Sequence, residues 1–82
     1  MQFYGQWSPP VDKVLYENYF KNKKDGFFIE AGACDGVSLS CCKFFEDRGW
    51  KGVNFEPAKD YYSKLIKNRP KALNLNMGLS DK

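Results

Sequence analysis

Phe27-Phe28-Ile29-Glu30-Ala31-Gly32-Ala33-Cys34-Asp35-Gly36 is the stretch that decides how the rest of the chain is read. Three large apolar residues in succession show no alternation. The spacing predicts a strand over Phe27 to Glu30 that is covered on both faces, as in a parallel sheet flanked by helices. The glycines at 32 and 36 then predict a tight turn from this strand into a helix.

Working outward, Val37 to Arg48 is predicted helical. Leu39, Cys42 and Phe45 recur at a spacing of three, and Cys41 and Phe44 widen the stripe. Ser38 marks the cap region and Gly49 the end. Trp50-Lys51-Gly52 reads as a connector and Val53-Asn54-Phe55-Glu56 as a second strand, stopped by Pro57. Ala58 to Lys67 is predicted helical, with Ala58, Tyr61, Tyr62, Leu65 and Ile66 on one face. Asn68-Arg69-Pro70 ends it, and Ala72 to Asn76 alternates as a third strand. Upstream, residues 1 to 10 form an irregular, aromatic lead-in, with Ser8 as the cap of a following helix. That helix, Val11 to Phe20, is expected to bury Val11, Val14, Leu15 and Tyr19. Asp25-Gly26 is a turn. Helix, strand, helix, strand, helix, strand is an α/β pattern with right-handed crossovers. It predicts three parallel strands in the order 3-2-1, the N-terminal portion of a Rossmann-like fold. Residues 1–82 read as a single partial domain: a lead-in and helix over 1–26 and the cofactor-binding half of a sheet over 27–82.

Size and composition narrow the function classes. The chain has 82 residues, 43% of them apolar and 17% aromatic, which excludes a disordered chain. So many aromatics imply core material for more structure than a chain this short builds alone. The formal net charge of +3 is a weak excess. Its densest cluster, Lys21-Asn22-Lys23-Lys24, offsets the end of a helix dipole rather than forming a nucleic-acid patch. There is no histidine, and the three cysteines lack C-x-x-C spacing, so no metal site is expected. Unpaired thiols, with no apolar run of the ~20 residues a span needs, predict a cytoplasmic protein without membrane attachment.

The loop carries the chemistry. Gly32 removes a side chain where a ligand approaches the backbone, and the start of the next helix is expected to offer free N–H groups to a carboxylate or phosphate. Glu56 ends the second strand, 20 residues beyond Gly36, where an acid accepts the hydroxyl protons of a ribose. A dinucleotide fingerprint counted from Gly32 needs glycines where this chain has Cys34 and Val37, and no Gly-Lys-Ser/Thr follows for a P-loop. The acids Glu30 and Glu56 suit a ligand carrying an ammonium, a carboxylate and a ribose, which S-adenosylmethionine combines.

Glu-Ala-Gly-Ala-Cys-Asp-Gly (30 to 36) resembles the first motif of class I S-adenosylmethionine-dependent methyltransferases, and more narrowly the FkbM-type family. Ser40, Gly49-Trp50-x-Gly52, Glu56-Pro57, Tyr62, Leu65, Asn68-Arg69-Pro70 and Gly78-Leu79-Ser80-Asp81 extend the resemblance over nearly the whole chain. Cys34 departs from it, standing where the family usually has a small polar residue. The resemblance implies that Gly32, Ala33, Asp35 and Gly36 cradle the methionine portion of the cofactor. Glu30 would anchor the loop or face the ammonium, and Glu56 would hold the ribose. Gln6 matches a glutamine of the family's lead-in only through the pair Gly5-Gln6, and Asp81 falls near where adenine is contacted. The implied activity is O-methylation of a sugar or other small hydroxylated metabolite. In the family the acceptor site and base come from later strands, so no catalytic residue is assigned. The chain is expected to be a fragment, inactive alone, with the unpaired edge of its first strand open to self-association.

Each residue also has a plainer role. Gly32 and Gly36 serve a tight connection equally well, Asp35 a turn or cap, and Tyr61 and Tyr62 a core and its rim. Cys34 as a nucleophile would lack a histidine base. Two other functions stay open at this point: an NAD- or nucleotide-sugar-binding Rossmann fragment, and a non-catalytic interaction module.

Overall fold

The computed structural model of the chain describes residues 1–78. Its elements follow the expected alternation. Helix α1 (Val11–Leu15) runs into a π-helical turn (Tyr16–Phe20). Strand β1 (Phe27–Ala31), helix α2 (Lys43–Asp47), strand β2 (Lys51–Phe55), helix α3 (Lys59–Asn68) and strand β3 (Leu73–Leu75) follow. The three strands form one parallel sheet in the order β1-β2-β3. Phe28 lies opposite Gly52 and Glu30 opposite Asn54. A side chain at position 52 would enter the Phe28 ring, so the glycine there is a packing requirement.

Two right-handed crossovers that step the same way along a sheet put both helices on the same face. Here that is the face of Phe28. Phe28, Tyr16, Phe44, Phe45 and Trp50 form the buried core, with Phe3, Tyr4, Leu15 and Phe20 packed against it. The rings meet edge-on or offset: Phe3 and Phe44 at 4.5 Å, Phe45 and Trp50 at 4.8 Å, Tyr16 and Phe44 at 5.1 Å between centroids. Much of the aromatic content is therefore the core of this half-layer. The other face is open among the described residues. Phe27, Ile29 and Leu73 are 63%, 62% and 58% exposed, so the expectation of a strand covered on both faces does not hold for this chain.

Three local expectations also change. The helix predicted from Val37 begins only at Lys43. Asp35 Oδ1 accepts the N–H groups of Val37 and Ser38, and Ser40 Oγ those of Cys42 and Lys43. Such side-chain bonds give the backbone an alternative to the helical ladder. Leu39, at φ 59°, instead forms a one-residue parallel bridge with Gly5. The buried face of the first helix is Asp12, Leu15, Tyr16 and Phe20, one residue round from the predicted stripe; Val14 and Tyr19 are exposed. Asp12 can turn inward because its carboxylate accepts the N–H groups of Tyr4 (2.7 Å), Gly5 (3.1 Å) and Lys13 (3.0 Å). Ser8 does not cap that helix, which Pro10 precedes in extended conformation. On α3 the inward residues are Tyr62, Leu65 and, just beyond it, Arg69, while Tyr61 and Ile66 face outward.

Candidate functional site

β1 and β2 both deliver their carboxyl ends to the loop of residues 32–36. The amides of Gly32 and Ala33 donate to the Phe55 carbonyl at 2.8 and 3.0 Å, which carries the loop across the end of β2. Gly36 N–H donates to the Ala33 carbonyl at 2.9 Å and closes the turn. Cys34, at φ 54°, sits at its apex.

The two glycines divide the work. Gly32 has φ 69°, and a Cβ built there would meet nothing within 4 Å. It is an open shelf against which a ligand can lie. Gly36 has φ 85°, and a Cβ there would stand 2.7 Å from both Arg69 Cγ and Leu65 Cδ1. Its missing side chain is taken up by α3, not by a ligand. Ala33 is buried beneath the turn.

Glu56 follows β2 and is 4% exposed. Its Oε1 accepts the Cys34 N–H at 2.7 Å and its Oε2 the Ala58 N–H at 2.8 Å. One acid thus ties the loop to the start of α3, and each oxygen keeps a second lone pair. Glu30 faces inward. It accepts from Ser40 Oγ (2.9 Å) and Cys41 N–H (3.2 Å), beyond the loop, and lies 3.6 Å from Arg69 Nη1. Asp35 grips the following turn through Val37 N–H, Ser38 N–H and Ser38 Oγ. These bonds, the Val37 amide foremost, hold its carboxyl below the ordinary range.

Free helix-terminal N–H groups do not face this loop, contrary to expectation. α2 starts seven residues past Gly36, and the amides leading into it are spent locally, that of Cys41 on Glu30 and those of Cys42 and Lys43 on Ser40. Among the amides from Gly32 to Ser38, only that of Asp35 has no partner among the described residues. Cys34 is no activated thiol: burial first, then Glu56, Asp35 and Glu30, push it up. Burial pushes Cys42 up to about 12. Gln6 is exposed in the lead-in, where its carbonyl accepts the Val11 N–H. Asp81 lies outside the described residues.

The residue that the reading from sequence passed over is Arg69. It is fully buried and bonds Glu46, Gly36 and Ser40. Its only signal was its place in Asn68-Arg69-Pro70. Two clefts lie away from the loop. One, at the amino ends of β1 and β2, is lined by Asp25, Gly26, Phe27, Gly49 and Lys51, and another lies under Trp7. The glycine loop offers an open shelf at Gly32.

No helix of the described residues is long and apolar enough to cross a membrane. Comparison with curated proteins gave no match, and comparison with solved structures gave none. The family model of the methyltransferase FkbM domain matches residues 30–82, starting at Glu30 in β1 and taking in α2, β2, α3 and β3. The chain belongs to the FkbM methyltransferase domain family.

Proposed function

We propose that the chain is the cofactor-binding half of an S-adenosylmethionine-dependent methyltransferase whose acceptor is a hydroxyl of a sugar or other small hydroxylated metabolite. The observation that carries this reading is the bond by which the Cys34 N–H at the apex of the glycine loop donates to Glu56 at the end of β2. A buried acid at the end of β2 holds the apex of a loop whose first glycine leaves room for a ligand. S-adenosylmethionine, when bound, supplies a sulfonium methyl open to displacement. The chain's part is to bind and orient. Gly32 leaves the shelf clear, the Asp35 amide is left to donate, and the second lone pairs of Glu56 accept the ribose hydroxyls. Glu30 and Gly36 support the loop from behind.

The weak net charge favours a small-molecule partner over nucleic acid or a membrane. Three free thiols suit a cytoplasmic setting. The unpaired edge of β1, beside exposed Phe27 and Ile29, is the surface for self-association.

Calorimetric titration with S-adenosylhomocysteine and, separately, with NAD tests the cofactor. Binding of the former, lost in Glu56→Gln with the circular-dichroism spectrum unchanged, is expected. Binding of NAD alone would sink the proposal.

A further inference from the structure

Arg69 lies at the end of α3 with its side chain 0% exposed. A guanidinium is seldom buried unless it is paired, because its desolvation is costly. Here Nε donates to Glu46 Oε1 at 2.7 Å, and Nη1 donates to the Gly36 carbonyl at 2.8 Å and to Ser40 Oγ at 3.4 Å. Glu30 Oε1 stands 3.6 Å from Nη1, and the guanidinium carbon lies 5.3 Å from the centre of the Phe28 ring. One side chain therefore joins β1, the segment between the loop and α2, α2 itself and the end of α3. Its neighbour acts on the same strip of backbone: Asn68 Nδ2 donates to the Asp35 carbonyl at 2.8 Å. Consecutive residues at the end of α3 thus hold the consecutive carbonyls of Asp35 and Gly36. Because each peptide unit is planar, fixing two successive carbonyls fixes the orientation of two successive peptide planes. Gly36 is shaped to this contact, since any Cβ there would strike Arg69.

We propose that Arg69, assisted by Asn68, is a positioning residue that sets the conformation of the glycine loop and so of the cofactor shelf. The inference rests on the cofactor reading above for its consequence in binding, but not for its effect on the loop. Lysine cannot replace it, because the bonds to Glu46 and Gly36 leave from different nitrogens of one rigid fork.

The loop carries its own reporter in Cys34. Its alkylation by iodoacetamide, resolved from Cys41 and Cys42 by fragment mass spectrometry, reads local opening in a folded chain. Arg69→Met is expected to raise the Cys34 rate and to weaken S-adenosylhomocysteine binding by roughly tenfold each, the factor carried by one charge-assisted hydrogen bond. Arg69→Lys should behave in the same direction, and Lys67→Met, an exposed change on the same helix, should move neither. An unchanged Cys34 rate in folded Arg69→Met overturns the proposal. If that variant does not fold, Glu46→Gln, which leaves Arg69 in place but loosens it, carries the test by the same rate, and an unchanged rate there overturns it equally. The two possible failures separate. A wild-type chain that binds no S-adenosylhomocysteine removes the cofactor reading, whereas a Cys34 rate indifferent to Arg69 removes the clamp.

Discussion

Adding a single methyl group to each loop glycine separates their roles. Gly36→Ala meets two penalties. A non-glycine residue in the left-handed region costs roughly 1–2 kcal/mol. The new Cβ would also stand 2.7 Å from Arg69 Cγ and from Leu65 Cδ1. Neither atom can swing aside: Leu65 is fully buried, and the Arg69 side chain is held at its far end by Glu46 and Gly36. Overpacking of this kind costs about 1–3 kcal/mol more. Gly32→Ala meets only the first penalty, since nothing lies within 4 Å of its Cβ position. In a domain of this length each kcal/mol moves the melting temperature by roughly 4–8 °C. Gly36→Ala should therefore melt roughly 8–40 °C below wild type and Gly32→Ala roughly 4–16 °C below, the two differing by about 4–8 °C for each kcal/mol of overpacking. Binding should show the opposite order. At a temperature where both variants are folded, the Gly32→Ala methyl stands on the shelf and should weaken S-adenosylhomocysteine by roughly tenfold or more, with the larger share of the loss at this site. Thermal melts followed at 222 nm and calorimetric titration make the comparison. Melting temperatures for the two variants within about 3 °C of each other would refute the assignment of one glycine to packing and the other to the ligand.

Other outcomes follow from the same geometry. Asp12→Ala strands the partly buried N–H groups of Tyr4, Gly5 and Lys13, and should destabilise the chain by about 1–3 kcal/mol in urea unfolding while freeing the lead-in to proteolysis. The Asp35 carboxyl is lowered from an ordinary 3.8 by the Val37 and Ser38 amides. Its contribution is therefore complete above that value and lost as pH falls through the lower native one. Exchange protection of those two amides should be flat above about pH 4 and fall on further acidification, and Asp35→Asn should abolish the fall. Phe27→Lys combined with Ile29→Lys places charge on the open sheet face and should reduce association seen by light scattering, with little change in melting temperature because both residues are already exposed.

What the sequence made legible was the part governed by local pattern. The apolar run at Phe27 to Ile29, the glycines, and Pro57 behind Glu56 place β1, the loop and the end of β2, because strand, turn and breaker signals act over a few residues. The start of α2 was illegible for a different reason. Helical periodicity does run from Leu39 to Phe45, but Ser40 is committed to Glu30 and Arg69 and Asp35 to Val37 and Ser38, so tertiary partners override the pattern. The burial of Asp12 escaped periodicity because an acid counts as polar until its three N–H donors from the lead-in and its own helix are known. Arg69 escaped for the same reason. A charged residue before a proline reads as a helix end, and only the crossing of α3 over the loop shows what it holds. β3 reverses the usual expectation: Leu73 faces the open side, while Asn74 turns inward to pair with fully buried Asn54.

These observations share a physical cause. The loop is built of glycine, alanine, cysteine and aspartate, which offer little apolar surface by which a core could grip them. A chain this short also buries a modest fraction of its surface, so packing alone fixes little beyond the aromatic cluster. Charge-assisted bonds to backbone supply the geometry instead. Asp12 holds Tyr4 and Gly5, Glu30 holds Cys41, Glu56 holds Cys34 and Ala58, and Arg69 holds Gly36. Each such bond is directional where dispersion is not, which suits a shelf that must present one glycine to a ligand and seal the other against α3. Each also leaves a desolvated partner if it is broken. The loop should therefore fail by opening as a unit. Loss of any one of Glu30, Glu56 or Arg69 should raise the Cys34 alkylation rate, and loss of two in contact, Glu30 with Arg69, should raise it by less than the product of the separate effects.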